Sequence, residues 1–131
     1  MVESNDPKVW FQMAKAEFDY ACSDLEEPKQ DFFAPTCFHF QQSAEKCLKA
    51  YILAQKKRFR KIHNLIELLQ ICAQSDSSFI NFRDDAAILN PFYTDTRYPA
   101  HWPIGFTRED AEKAKEAAGK IIKFVKERVG F

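Results

Sequence analysis

Glycine is scarce in this sequence of 131 residues, which contains only Gly105, Gly119 and Gly130. Phosphate-binding P-loops, the G-x-G-x-x-G loop of dinucleotide-binding folds and the G-x-S-x-G turn around a nucleophilic serine all need clustered glycines. Their backbones turn tightly or approach the ligand closely, which a side chain would prevent. Three widely spaced glycines cannot form any of these motifs. The sequence therefore excludes the enzyme classes that depend on them.

Metal-binding patterns are also missing. The sequence has no Glu-x-x-His pair for a di-iron helical bundle, and its few cysteines and histidines lack the close spacing of zinc ligands. We therefore expect no metal and no cofactor. The cysteines contain no Cys-x-x-Cys pair and mostly occupy apolar positions of helical patterns, which predicts buried, reduced thiols and a cytoplasmic protein. These cysteines are Cys22, Cys37, Cys47 and Cys72.

The sequence also lacks an excess of positive or negative charge and has no long apolar run. Nineteen basic and nineteen acidic residues cancel, so no global field marks the protein as a binder of nucleic acid or membranes. No window approaches the roughly 18 apolar residues of a membrane span, and the first residues do not resemble a signal peptide. We expect a soluble protein whose charge-based sites are local patches.

The residues that are present follow a helical pattern. With 46% hydrophobic residues, the chain can bury one core but is too short for two ordinary domains, so we predict a single domain over residues 1–131. Apolar residues recur with a period near 3.6 almost throughout, and no segment is typical of a strand. The predicted fold is all-α, an up-and-down helical bundle of four or five helices.

Local signals predict where these helices begin and end. The first should end before Pro28, and the second should begin at Pro35. The third should begin at His63 or Asn64. The fifth should be capped by Thr107, with Asp110 completing a capping box.

The fourth helix is less clearly defined by the sequence. It should begin at the "DSSF" of residues 76–79 and stop before Pro99, with a break or kink where Asn90 precedes Pro91. Its inner face should carry Phe82, Ala86, Leu89 and Tyr93.

An aromatic stretch, "TRYPAHWPIGFT", occupies residues 96–107 before the last helix. Arg97 could hydrogen-bond the last carbonyls of the fourth helix while Tyr98 seals the end of the bundle. Alternatively, the guanidinium of Arg97 could bind phosphate. The residues alone leave both interpretations open.

The order of several blocks resembles the HEPN domain family. These blocks are "WFQMAKAEFDYACSDL" (10–25), "FQQSAEKCLKAYIL" (40–53), "HNLIELL" (63–69), "YTDTRYP" (93–99) and a capped last helix rich in alanine and lysine. The resemblance covers residues 8–128. It implies a helical domain, usually a homodimer, that is often encoded beside a minimal nucleotidyltransferase in a toxin-antitoxin-like pair.

Some HEPN proteins are metal-independent ribonucleases, which carry an arginine, four to six further residues and then a histidine. In such a pair the histidine moves a proton while the arginine stabilises the anionic transition state. The resemblance implies Arg97 and His101 as catalytic residues, although only three residues separate them here. Arg58 and His63 have four residues between them, but we interpret His63 as a capping or packing histidine.

Other HEPN proteins bind nucleotides or RNA without cleavage, and the sequence offers candidate residues for this role. Helix two could form the floor of a pocket whose rim carries Arg97 and Tyr98. The basic segment "KKRFRK" (56–61) could bind phosphates, or could simply complement the dipole of a helix C-terminus. The predicted nucleotide- or RNA-binding residues are Gln42, Lys46, Arg58, Arg60, Tyr93, Arg97 and Tyr98.

One further pair on helix two, Glu45 and Lys49, is expected to form a solvated salt bridge.

Three functions remain open at this point. The first is nucleotide or RNA binding together with a nucleotidyltransferase partner, and the second is a ribonuclease toxin using Arg97 and His101. The third is a non-catalytic module for dimerisation and partner binding.

Overall fold

The computed structural model describes residues 5–28, 33–58, 61–93 and 106–131, and most of these residues are helical. Within these ranges there are five α-helices and no strand, which confirms the predicted all-α bundle. The helices are α1 (Pro7–Glu26), α2 (Ala34–Ala54), α3 (Leu65–Ala73), α4 (Arg83–Leu89) and α5 (Arg108–Val129), with 3₁₀ helices at Ser77–Phe82 and Asn90–Phe92.

Most helix ends lie where the local signals predicted them. α1 ends at Glu26, before Pro28, and Pro35 lies in the first turn of α2. Asn64 caps α3, because its side chain accepts hydrogen bonds from two backbone N–H groups of the first turn. Thr107 and Asp110 form the full capping box of α5. Such ends are predictable because each depends on residues only a few positions apart.

The fourth segment differs from the single helix that the sequence suggested. Asp76 caps a 3₁₀ helix, the α-helical part ends at Leu89, and a second 3₁₀ helix follows at Asn90–Phe92. A 3₁₀ helix has only three residues per turn, so it rotates the next residues out of the α-helical phase. Phe92 is therefore buried at 7% exposure, whereas Tyr93 is 43% exposed. The prediction that Tyr93 faces inward was wrong.

Helix α2 is the centre of the bundle. It packs against α1, α3 and α5, and also contacts the 3₁₀ helix at Asn90–Phe92. Fourteen of its 21 residues are buried, so polar side chains beside its apolar stripe are enclosed as well. The side chains of Glu45 and Lys49 are only 5% and 7% exposed. The prediction of a solvated salt bridge was wrong, because neighbouring helices cover both faces of α2.

The four cysteines are free thiols, and all except the half-buried Cys22 are buried in the core. Burial raises the pKa of the Cys37 and Cys72 thiols to about 12, and raises the pKa of Cys47 as well. The prediction that the cysteines are buried inside the bundle is confirmed for these three. No helix in the four described ranges combines the length and apolar character needed to cross a bilayer.

Candidate ligand-binding site

An open depression lies where the start of α3 meets the 3₁₀ helix that follows α4. Its volume is about 380 Å³, and it is lined by His63, Asn64, Asn90, Pro91 and Tyr93. Sites for small ligands have volumes of roughly 300–1,000 Å³. The depression is therefore large enough for part of a nucleotide.

Two asparagines fix the floor of this depression. The side-chain oxygen of Asn64 accepts hydrogen bonds from the N–H groups of Ile66 and Glu67, at 3.0 and 3.2 Å. The side-chain oxygen of Asn90 accepts from the N–H of Leu65 at 2.8 Å, and its amide nitrogen donates to the oxygen of Asn64 at 3.1 Å. Both oxygens thus accept hydrogen bonds within the protein, so the two asparagines offer a ligand their amide N–H donors.

The rim of the depression is a stacked ring pair. The His63 and Tyr93 ring centroids are 4.4 Å apart, with an angle of 16° between the planes. The His63 side chain is 45% exposed, and Tyr93 is 43% exposed. Flat, exposed rings of this kind are surfaces on which nucleobases stack.

A buried carboxylate holds the His63 ring. The Nδ1 atom of His63 lies 3.2 and 3.3 Å from the two oxygens of Glu45, whose Oε2 also accepts from Lys49 at 3.1 Å. Hydrogen bonding to Nδ1 fixes the orientation of the ring and leaves Nε2 as the other polar atom. His63 therefore presents Nδ1 to Glu45, and Nε2 is its second nitrogen at the edge of the depression.

Two glutamines support this arrangement from α2. Gln41 is fully buried, and its amide nitrogen donates to the carbonyl of His63 at 3.2 Å and to Glu45 at 3.3 Å. Gln42 donates to the side-chain oxygen of Gln41 at 2.7 Å and to Glu45 at 3.4 Å. Gln42, predicted as a ligand contact, does not line the depression and is connected to it through Gln41 and Glu45.

A second carboxylate, Glu17 of α1, holds a second histidine. His39 Nδ1 lies 3.0 Å from Glu17 Oε2, and Lys46 donates to the other oxygen of the same carboxylate. Burial opposes ionisation of Glu17, but the hydrogen bonds and charges of His39 and Lys46 outweigh it and lower the pKa of Glu17. Lys46, another predicted ligand contact, therefore pairs with Glu17 between α1 and α2.

Phe38 lies between His39 and Tyr93, the ring that stacks on His63. Its ring stacks against His39 with a centroid separation of 5.7 Å and an angle of 24°. It also makes an edge contact with Tyr93 at 6.3 Å. The ring of Tyr93 therefore contacts both His63 and Phe38.

The remaining predicted site residues lie elsewhere. Arg58 is exposed beyond the end of α2 and does not line the depression. The structure does not describe four of them: Arg60, Arg97, Tyr98 and His101. Within the ranges that it does describe, no group of three or more His, Cys, Asp or Glu residues could hold a metal ion.

Sequence reasoning did not identify Glu45, Asn64 and Asn90 as parts of this site. One signal was available, because Gln41 and Glu45 are one helical turn apart beside an apolar stripe. A polar pair at that spacing next to a core helix face indicates a buried network when another helix covers it.

Comparisons with known proteins agree with this architecture. The model of the HEPN domain family matches residues 7–128. The crystal structure of TT1696 from Thermus thermophilus is 31% identical, with a TM-score of 0.80 over 95% of this chain and 98% of that chain. The structure of ST0689, an archaeal HEPN homologue, has a TM-score of 0.74 at 24% identity over the same shares of the two chains. None of the curated proteins matches the sequence. Because the family model spans nearly all of the chain, the protein belongs to the HEPN domain family.

Proposed function

We propose that this protein binds a nucleotide or RNA and acts with a nucleotidyltransferase partner in a toxin-antitoxin-like pair. One observation carries the binding part of the proposal. The stacked, exposed pair of His63 and Tyr93 forms the rim of a depression whose floor offers amide N–H donors. Aromatic faces bind bases of any sequence, and N–H donors suit the acceptor atoms of bases and phosphates.

The chain next to the depression supports a phosphate contact. Tyr93 is the last described residue before the segment 94–105, and Phe106, the first after it, packs against Phe92 with a centroid distance of 4.8 Å. The described residues that flank this segment are thus Tyr93, on the rim of the depression, and Phe106, against Phe92. In the sequence, Arg97 and Tyr98 follow Tyr93 by four and five residues. We assign Arg97 to the phosphate, because guanidinium groups bind phosphate oxygens bidentately.

RNA cleavage is the second candidate function, and one contact favours it. His63 is held through Nδ1 by the buried Glu45, as general-base histidines are held by carboxylates in many enzymes. In this scheme the ribose 2′-oxygen would attack the adjacent phosphorus and give up its proton to His101 or His63. The 5′-oxygen of the next nucleotide would leave and take up a proton, while Arg97 would stabilise the anionic charge.

The homodimer and the nucleotidyltransferase partner rest on membership of the HEPN family. Light scattering of the purified protein tests the dimer, since a monomer over the micromolar range would contradict it. Co-expression of the protein with an adjacently encoded nucleotidyltransferase, followed by co-purification, tests the partner. Separate elution of the two proteins would contradict that part of the proposal.

Fluorescence anisotropy with a labelled single-stranded RNA and a labelled adenine nucleotide tests binding. Tyr93→Ala and Arg97→Ala should each weaken binding about five-fold or more, because the first removes a stacking surface and the second removes a phosphate contact. Ile80→Ala is the matched control, since Ile80 is also exposed but does not line the depression. Absence of binding by the unmodified protein, or affinity unchanged in both variants, would overturn the proposal.

The same RNA incubated with chelator separates binding from cleavage. If the unmodified protein cleaves the RNA, and cleavage is lost in Arg97→Ala and also in either His101→Ala or His63→Ala, the protein is a ribonuclease. Intact RNA with Arg97-dependent binding would establish a binding protein without cleavage.

A further inference from the structure

The ring pair at the depression belongs to a longer series of rings on the protein surface. Starting on α1, Tyr20 contacts His39 at 5.1 Å, His39 contacts Phe38 at 5.7 Å, and Phe38 contacts Tyr93 at 6.3 Å. Tyr93 then stacks on His63. Each of the five rings is at least partly exposed, and Tyr20 is 56% exposed. We call these five rings the ring series.

The two histidines of the ring series are supported in matching ways. Each uses Nδ1 to contact a glutamate, and each glutamate also pairs with a lysine of α2. The two units are Glu17–His39–Lys46 and Glu45–His63–Lys49. Enclosing a carboxylate and a lysine between helices carries a desolvation cost. The arrangement fixes two imidazole rings on the surface, each with its Nε2 atom left for another partner.

The depression around Asn64 and Asn90 explains only one end of the ring series. A mononucleotide placed there would reach Tyr93 and His63, while Tyr20 and His39 lie further along the surface, on the α1 side of α2. Aromatic rings in sequence on a surface are the arrangement that binds successive bases of a single strand.

We propose that the ring series is a stacking platform for single-stranded RNA, so that the ligand is an oligonucleotide of about three or more nucleotides. This inference rests on the proposed function, since it extends the site from the depression to α1. Bases stack on Tyr93, Phe38 and Tyr20. The Nε2 atoms of His39 and His63 accept hydrogen bonds from ribose 2′-hydroxyl groups between them, and donate to phosphate oxygens only when the ring is protonated. Stacking tolerates any sequence, so the platform recognises a single strand rather than a particular base.

Binding of a length series of oligouridylates, from the mononucleotide to the hexanucleotide, tests this inference by competition with a labelled RNA. For the unmodified protein, affinity should rise at least ten-fold between one and about four nucleotides. Tyr20→Ala and His39→Gln should remove most of that gain while leaving the mononucleotide affinity unchanged. Gln can still donate a hydrogen bond to Glu17 but has no ring. Tyr93→Ala should weaken binding at every length.

Met13→Ala is the control, because Met13 is exposed on the same helix as Tyr20 but is not part of the ring series. Circular dichroism shows whether each variant keeps its helices. Affinity that does not depend on length, or that Tyr20→Ala and His39→Gln leave unchanged, would overturn the platform while the proposed binding function stands. Failure of the protein to bind either RNA or nucleotide would instead overturn the proposed function.

Light scattering of Tyr20→Ala provides one more decisive outcome. A changed oligomeric state with unchanged RNA affinity would identify this part of the surface as a contact between protein chains. That result would also overturn the platform.

Discussion

His63 and Glu45 are joined across the junction of α2 and α3, with Nδ1 lying 3.2 Å from Oε1 and 3.3 Å from Oε2. The carboxylate is buried, the imidazole is half-exposed, and Lys49 contacts the same carboxylate from the next turn of α2. The Glu45 carboxylate therefore compensates the charge of the buried Lys49 ammonium, and it also fixes the orientation of the His63 ring at the edge of the depression.

Replacing Glu45 with alanine should destabilise the fold by about 3 kcal/mol, because it breaks a buried ion pair and removes this carboxylate from the buried Lys49. Urea unfolding followed by circular dichroism measures this free energy. Glu109→Ala is the matched control, since Glu109 also pairs with a lysine four residues away but is exposed. Its loss should cost less than about 0.5 kcal/mol. Equal effects of the two substitutions would contradict the buried role of Glu45.

Phe79 joins the segment before α4 to both α2 and α5. It is 1% exposed, and its ring contacts Tyr51 at 4.5 Å and Phe124 at 4.9 Å. Phe79→Ala should destabilise the protein by about 3–5 kcal/mol, since the cavity cannot close fully. Ile80, its neighbour, is 61% exposed, and Ile80→Ala should change stability by less than about 0.5 kcal/mol. Thermal unfolding of both variants is the measurement, and a small effect at Phe79 would be inconsistent with its position in the core.

Acid should weaken the contact between α1 and α2 through Glu17. The pKa of Glu17 is lowered in the folded protein, because the hydrogen bonds and charges of His39 and Lys46 outweigh the effect of burial. Its contribution to stability is therefore fully present above the ordinary glutamate pKa of about 4.3 and is lost as the pH falls through the lowered value.

Urea unfolding at a series of pH values between about 7 and 3 measures this contribution. Glu17→Gln should lower stability at pH 7 and flatten the loss of stability on the acid side. Parallel curves for the variant and the unmodified protein would show that Glu17 does not titrate differently in the folded and unfolded states.

Thiol reactivity should follow burial. Cys22 is only half-buried, so it should react first with a disulfide reagent such as DTNB at pH 8 in the native protein. The other three thiols are buried and their pKa values are raised, so they should react only after unfolding. Cys22→Ser should abolish the native reaction while three thiols still react in denaturant. Rapid reaction of more than one thiol in the native state would contradict the packing of the core.

The sequence predicted the helices and most of their ends because those signals are local. The two residues of the capping box, Thr107 and Asp110, are three positions apart, and Asn64 caps the turn that directly follows it. The exposure of Tyr93 was missed because a short 3₁₀ helix altered the helical phase after Asn90.

The contacts within the site were less predictable. Glu45 is 18 residues from His63, and Glu17 is 22 residues from His39. Neither pairing follows from helical periodicity, because each depends on which helices become neighbours and at what rotation. The sequence identified Tyr93 as a candidate binding residue, and that assignment stays a prediction. It could not show that two carboxylates of the bundle would hold two partly exposed histidines.

The contact between Phe92 and Phe106 has a consequence for how this family can evolve. The twelve residues between Tyr93 and Phe106 are bracketed by rings that touch each other. Lengthening such a connection costs only about 0.6 kcal/mol for each doubling of its length. Changes of length or sequence there need not disturb the contact between Phe92 and Phe106, which joins the end of the fourth segment to the start of α5.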